Sequence, residues 1–218
     1  IKNFLKEVKK ITKKNKAILI FDEITSGFKD NYGGIHLKLE TKPDMAIFGK
    51  SIGNGYPISA IIGKKKIMET SQDTFISSTM WTDRLGFIAA NATLEKLRKY
   101  RVNNKTKDFG KKIKQGWIKL AKKNKIKISV SGLDTIPSFK FNYSNNLEIS
   151  TYFTQEMLKK GYLAGGLVAT NYAYNTKIIK KYLEEVNKVF KKISICLKNN
   201  KFPLNGGVKH STFKRLTG

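Results

Sequence analysis

The sequence predicts an α/β fold: a mostly parallel sheet with flanking helices, followed by a smaller α+β part. Three observations carry this. Two short apolar runs, AILIF (residues 17–21) and MAIF (residues 45–48), are each bounded by turn chemistry. Each leads into polar residues, Asp22 with Glu23 after the first and Lys50 after the second. Helical periodicities flank these runs, and beyond them the pattern changes to strand-like segments at 126–130 and 137–143 set among further helices.

In chain order, residues 1–14 place Ile1, Phe4, Leu5, Val8 and Ile11 on one helical face. The first strand follows. Residues 25–42, with Gly27, Gly33 and Gly34, read as an irregular loop before the second strand. Gly53-Asn54-Gly55 makes a turn, 56–63 a strand and 64–69 a short helix. The helix of 85–100 carries small residues, Gly86, Ala89, Ala90 and Ala92, suited to close packing. The chain turns polar at 101–107, where a domain boundary is expected. A helix over 109–123 buries Phe109, Ile113, Trp117 and Leu120, and SFKFNY alternates as a strand. Helices are predicted at 146–160 and 176–197, with a strand and loop at 161–174.

Hydrophobic content of 40% over 218 residues is enough for a sizeable core. The net charge of +27 raises nucleic acid or an acidic membrane surface as a partner. The 43 basic residues, however, are 39 Lys and only 4 Arg, spread along the chain with 17 Asn. Phosphate and base recognition draws on Arg, so specific nucleic-acid binding is not expected. A single cysteine, Cys196, excludes an internal disulfide and falls in an apolar helical pattern as a core residue. Two histidines, His36 and His210, without clustered acids argue against a metal site. No apolar run approaches membrane-spanning length and no secretory segment is present, so a cytoplasmic location is the default.

The chemistry concentrates in residues 17–63. In open α/β sheets, ligands bind beyond the carboxyl ends of the strands. If the two apolar runs are parallel and close, Asp22 and Lys50, 28 residues apart, meet in one crevice. A lysine there can form a Schiff base with a carbonyl, and a carboxylate can hold a pyridinium nitrogen protonated. By spacing alone a solvated loop lysine is the favoured reading of Lys50, because a chain with 39 lysines places one near a strand end by chance. Residues 74–84, TFISSTMWTDR, offer hydroxyls just before a helix. They suit a phosphate or an ordinary helix N-cap, and spacing alone favours the cap. In the tail, His210, Lys214 and Arg215 suit an anion, or simply solvent.

The run LIFDEITSGF, followed by KPDMAIFGKSIGNGYPISAIIG, resembles class III aminotransferases, which are fold-type I pyridoxal-phosphate enzymes. Within them it looks most like the glutamate-1-semialdehyde aminomutase branch. The resemblance implies that residues 1–100 form the second half of the cofactor-binding large domain and 101–198 the small C-terminal α+β domain, with 199–218 a tail. It implies pyridoxal 5'-phosphate as cofactor, with Lys50 as the Schiff-base lysine, Asp22 on the pyridine nitrogen and Ile24 against one face of the ring. Thr79 matches a threonine that reaches the cofactor phosphate of the neighbouring subunit, implying a homodimer with a shared active site. The activity implied moves an amino group from a small-molecule amino donor to a carbonyl acceptor.

The resemblance covers nearly the whole chain but only the second half of a family enzyme. The glycine-rich phosphate turn and the ring-stacking aromatic are not in it, so the chain alone is expected to be inactive. The aminomutase proper carries an acid in its small domain after a Y-L-A-P run. Here Tyr162-Leu163-Ala164 is followed by GGLVATNYAY, and no Asp or Glu appears before Glu184. A plain aminotransferase is therefore preferred, with the intramolecular amino shift as the alternative. A basic polyanion-binding protein and a catalytically silent homologue are the readings of another class.

Overall fold

The computed structural model describes residues 2–210. Ile1 of the first helical face, and Lys214 and Arg215 of the tail, lie outside the described residues. The chain divides into two compact units, Ile1–Asn104 and Lys105–Gly218.

The first unit opens with α1 (Lys2–Lys14). Of its apolar face, Leu5 and Val8 are half-buried while Phe4 and Ile11 stay exposed. A three-stranded sheet follows in the order β1 (Ile20–Asp22), β2 (Met45–Phe48), β3 (Ala60–Gly63). β1 and β2 are parallel neighbours, the condition for Asp22 and Lys50 to meet, in a register that pairs Ile20 with Met45 and Asp22 with Ile47. β3 returns antiparallel against β2, so the sheet is mixed rather than mostly parallel in these three strands. The reason is local: the link from Phe48 to Ala60 holds turns but no crossover helix, and a short link reverses direction. β1 is an edge strand, and only Leu19 of its approach is fully buried. Ile18 and Ile20, which share the opposite face, are each about half exposed.

Asp44, just before β2, ties this unit together. Its carboxylate accepts the Leu19 N–H at 2.9 Å and pairs with Lys9 of α1 at 2.8 Å and Lys64 after β3 at 2.6 Å. The bonds from Lys64 and Lys9, and then from Leu19, hold it well below the usual carboxylate range. Beyond β3 come α2 (Lys65–Met68), a 3₁₀ turn at Glu69–Asp73 and α3 (Arg84–Lys99). Arg101, in the left-handed region at φ 47°, ends the run. The polar segment expected to be a boundary is helical: α4 runs Val102–Lys123, because nothing between Val102 and Phe109 breaks a helix.

In the second unit α4 is followed by a hairpin, β4 (Ile128–Leu133) and β5 (Ile136–Phe141), then α5 (Asn146–Leu158) and α6 (Thr176–Lys198). The strand expected within 161–174 is reduced to one bridge, Ser138 with Leu167. Its backbone still runs along β5, with Phe139 N–H on Gly166 O and Val168 N–H on Pro137 O. The core is aromatic. Phe139 stands edge-to-face with Trp117, Phe141, Phe153 and Phe190 at centroid distances of 4.8–5.9 Å. Such pairs each add about 0.5–1.5 kcal/mol beyond their buried area. Trp117 Nε1 donates to Tyr182 Oη at 3.1 Å, so the buried indole keeps a partner. Glu156 is buried and bonded to Lys159 at 2.6 Å and Lys192 at 2.5 Å. Cys196 packs half-buried against this core, as its helical pattern suggested.

Candidate active site

Asp22 ends β1 and is exposed. Its Oδ1 accepts the Ile24 N–H at 2.9 Å, a side-chain turn that fixes the carboxylate's direction at the strand's carboxyl end. The next residue, Glu23, goes the other way and is fully buried. It receives Ser26 Oγ at 2.5 Å, the backbone N–H groups of Ile35 and His36 at 3.0 and 2.8 Å, and His36 Nδ1 at 2.9 Å. Burial alone would raise this carboxyl, but the bonds from Ser26, His36 and Ile35 outweigh it and hold it below the ordinary range. Gly34 is required here, since a Cβ would lie 2.3 Å from the His36 ring. The loop after β1 is thereby folded back on itself, with Phe28 (φ 58°) packing its ring on Phe48 at 5.4 Å.

Lys50 lies two residues beyond β2 and is exposed. It occupies the left-handed region at φ 44°, which L-residues adopt only at a cost and which concentrates at functional sites. Its carbonyl accepts the Asn54 N–H at 3.0 Å, and its Nζ donates to Thr25 Oγ1 at 2.9 Å. Ile24 is half-buried against Gly49, where an added Cβ would come within 3.3 Å of the Ile24 side chain. Asp22, Ile24 and Lys50 thus lie on the two loops that leave adjacent parallel strands. Lys29, in the same β1 loop, is half-buried, and burial together with the Lys50 charge holds its ammonium below the ordinary lysine range.

Thr79 stands apart. It is exposed, in the turn before α3, and no hydrogen bond joins it to Asp22, Ile24, Thr25 or Lys50 among the described residues. It does not cap the helix either: Asp83 does, its carboxylate accepting the Leu85 N–H at 2.9 Å. In the second unit, His210 lines a cavity of about 330 Å³ with Lys140, Lys209, Ser150 and Phe153. Among the described residues no group of three metal-ligating side chains forms, and no helix is long and apolar enough to cross a membrane.

Sequence reading passed over Thr25, Lys29 and the work of Glu23 and Asp44. Thr25 and Lys29 carry no motif; only the parallel pairing sets their loop beside Lys50. Glu23 was legible as a strand-end acid, but its buried network joins residues up to 13 apart.

As a set, these groups offer a primary amine that can condense with a carbonyl and a carboxylate that can bind a protonated ring nitrogen. The family described as aminotransferase class-III matches residues 1–196. The chain is 29% identical over 199 residues to 3-aminobutyryl-CoA aminotransferase of Cloacimonas acidaminovorans, covering 85% of this chain and 48% of that protein. It is 35% identical over 123 residues to glutamate-1-semialdehyde 2,1-aminomutase of Bdellovibrio bacteriovorus, covering 53% of this chain and 29% of that one. Among solved structures it resembles the pyridoxal-phosphate internal aldimine form of the FumI protein of Sphingopyxis sp. MTA144, with a TM-score of 0.81 at 21% identity. An omega-transaminase from Sphaerobacter thermophilus also gives 0.81, at 16% identity. These two alignments cover 91% and 88% of this chain and 48% of each structure, and they show a shared fold. The chain spans about half the length of the first curated relative and less than a third of the second. With 196 of its 218 residues matched, the chain belongs to the class-III aminotransferase family.

Proposed function

We propose that the protein is a pyridoxal-phosphate-dependent aminotransferase that moves an amino group from a small-molecule amino donor to a carbonyl acceptor. The observation that carries this is the parallel register of β1 and β2, which sets Asp22 and Lys50 at adjacent carboxyl ends. The residues present fit the cofactor. Lys50 offers an accessible amine, Asp22 an exposed carboxylate with a fixed direction, and Ile24 an apolar surface beside Gly49. Bound there, the cofactor supplies an electron sink for charge developing at the donor's α-carbon.

In this reading Lys50 would hold the cofactor through Nζ and would move the proton at the donor's α-carbon. Thr25 gives its Nζ a resting partner at 2.9 Å. Asp22 pairs with the protonated ring nitrogen, and Ile24 packs on a ring face. Thr79 donates to the phosphate of a neighbouring subunit's cofactor, so the working form is a homodimer with shared sites in the cytoplasm. The fact that Asp83, not Thr79, caps α3 leaves the Thr79 hydroxyl to this role. Residues 1–100 belong to the large domain, 101–198 to the small domain and 199–218 to a tail.

The aminomutase reading is favoured by the 35% identity to the Bdellovibrio protein. Against it, Glu184 is the first carboxylate after Ala164. Borohydride reduction in the presence of pyridoxal phosphate, followed by peptide mapping, tests the proposal. The expected result is a pyridoxyl group on Lys50. Label on other lysines with none on Lys50 overturns it.

A further inference from the structure

Glu23 fastens the loop that carries Asp22, Ile24 and Thr25 to β2. Its N–H donates to Ile47 O at 2.8 Å, one residue beyond the last pair of β1 and β2, and its carbonyl accepts the Gly27 N–H at 2.7 Å. Its side chain is fully buried and gathers four donors on two oxygens. Oε1 accepts the His36 N–H at 2.8 Å and His36 Nδ1 at 2.9 Å. Oε2 accepts the Ile35 N–H at 3.0 Å and Ser26 Oγ at 2.5 Å. An ionised carboxylate only accepts, so His36 Nδ1 carries a proton.

These donors select a carboxylate. A backbone N–H cannot turn into an acceptor, and one faces each oxygen: His36 on Oε1, Ile35 on Oε2. A glutamine has a single oxygen, so in either orientation its NH2 group meets a backbone N–H. Side chains at a strand end alternate between faces. Burying Glu23 on one face therefore sends its neighbour Asp22 to the other, where the Ile24 N–H fixes its Oδ1 at 2.9 Å. The same residue is thus tied to β2, to the loop's return at Ile35 and His36, and by the chain itself to Asp22.

We propose that Glu23 is a positioning residue: its buried carboxylate, held by Ser26, Ile35 and His36, sets the direction in which Asp22 presents its charge. Glu23 acts through Asp22 and not on the cofactor. This rests on the role proposed for Asp22 and deepens it.

The test has one arm without cofactor and one with it, both on the whole enzyme. With cofactor removed, Glu23→Gln should speed amide hydrogen exchange at Ile24 on the order of tenfold, the effect of losing one charge-assisted bond, while Ala46 and Phe48 of β2 stay protected. Asp44→Asn strips a carboxylate that gathers donors elsewhere in the same unit, and should not speed Ile24. Unchanged exchange in Glu23→Gln, or equal acceleration in both variants, overturns the proposal, since the latter is general loss of stability. With cofactor bound, Glu23→Gln should keep the visible absorption of lysine-bound cofactor and lose about tenfold in kcat with little change in KM. Added to Asp22→Asn, it should cost less than about twofold more, because nothing is left to position. An equal loss in both backgrounds overturns the proposal. If Glu23→Gln does not fold, Ser26→Ala, which removes one donor and leaves both backbone N–H groups paired, should show the same pattern at about two- to threefold. No change in Ile24 exchange or kcat in that variant then overturns it. If Asp22→Asn alone leaves turnover unchanged, the role of Asp22 fails instead, and the exchange arm still decides whether Glu23 holds that carboxylate.

Discussion

Lys50 Nζ donates to Thr25 Oγ1 at 2.9 Å, joining the loops that leave two adjacent parallel strands. The amine is thereby held at the carboxyl edge of the sheet while remaining exposed. Lys50→Ala should remove both the attachment of the cofactor and the proton carrier. Transamination by the whole enzyme is expected to fall by at least about 10²–10⁴-fold, the scale of general acid–base catalysis. The visible absorption of lysine-bound cofactor should disappear, and added small amines should restore slow turnover. Retained absorption in the variant would count against Lys50.

Asp22 is held by the Ile24 N–H and faces outward from the end of β1. Asp22→Asn keeps the shape but loses the charge proposed to keep a ring nitrogen protonated. Cofactor should still bind, while kcat falls about a hundredfold or more, as when one preorganised electrostatic group is lost. Steady-state kinetics at saturating cofactor reads this directly, and unchanged turnover removes Asp22 from the site.

Thr79 is exposed and does not cap α3. If it donates to the phosphate of a neighbouring subunit, Thr79→Ala loses one charge-assisted bond, worth about 1.5–3 kcal/mol, or roughly 10- to 100-fold in cofactor affinity. Mixing Thr79→Ala with Lys50→Ala subunits makes dimers in which an intact Lys50 faces an intact Thr79. Half of the sites in such dimers should regain normal affinity. A mixture that binds no better than the Thr79→Ala protein alone places Thr79 outside a shared site.

The second unit should lose stability in acid. Burial works to raise the Glu156 carboxyl, but Lys159, Lys192 and Gln155 together lower it to about 2, from 4.5. A carboxyl depressed in the folded state contributes stability that is fully present above the unfolded value and is lost as pH falls through the folded one. The window is therefore from about pH 4.5 down to about pH 2. The contribution at neutral pH is on the order of 3 kcal/mol. Thermal unfolding followed from pH 7 to pH 2 should show the decline, and Glu156→Gln should flatten it. An equally steep decline in that variant would assign the acid sensitivity to other carboxylates.

The net charge of +27 rests on lysines scattered along both units. Binding to nucleic acid should therefore be weak, indifferent to sequence and steeply reduced by salt, since each phosphate contact releases counterions. Fluorescence anisotropy with two unrelated duplexes across a salt series checks this. Tight, sequence-selective binding in high salt would favour a polyanion-binding protein instead.

Much of this protein was legible without coordinates. The LIFDEITSGF and PDMAIFGK runs identified the strands and their acid and amine, because a strand that ends on polar chemistry is written into consecutive residues. The helices of the second unit were equally plain: Ile179, Tyr182, Val186, Val189, Phe190 and Ile193 repeat at helical spacing and are the buried face of α6. Chain geometry decided the rest. Nothing in the residues after Phe48 announces that β3 returns antiparallel, or that Ile18 and Ile20 share an uncovered face. Asp44 reads as an ordinary loop acid and Glu23 as a strand-end one. One gathers Lys9, Leu19 and Lys64, the other Ser26, Ile35 and His36, from positions up to 35 residues away. Lys29 is one lysine among 39 until the loop after β1 half-buries it. Sequence records local periodicity and the order of chemical groups. Which charges share a dry site depends on contacts between distant residues, and only folding brings those together.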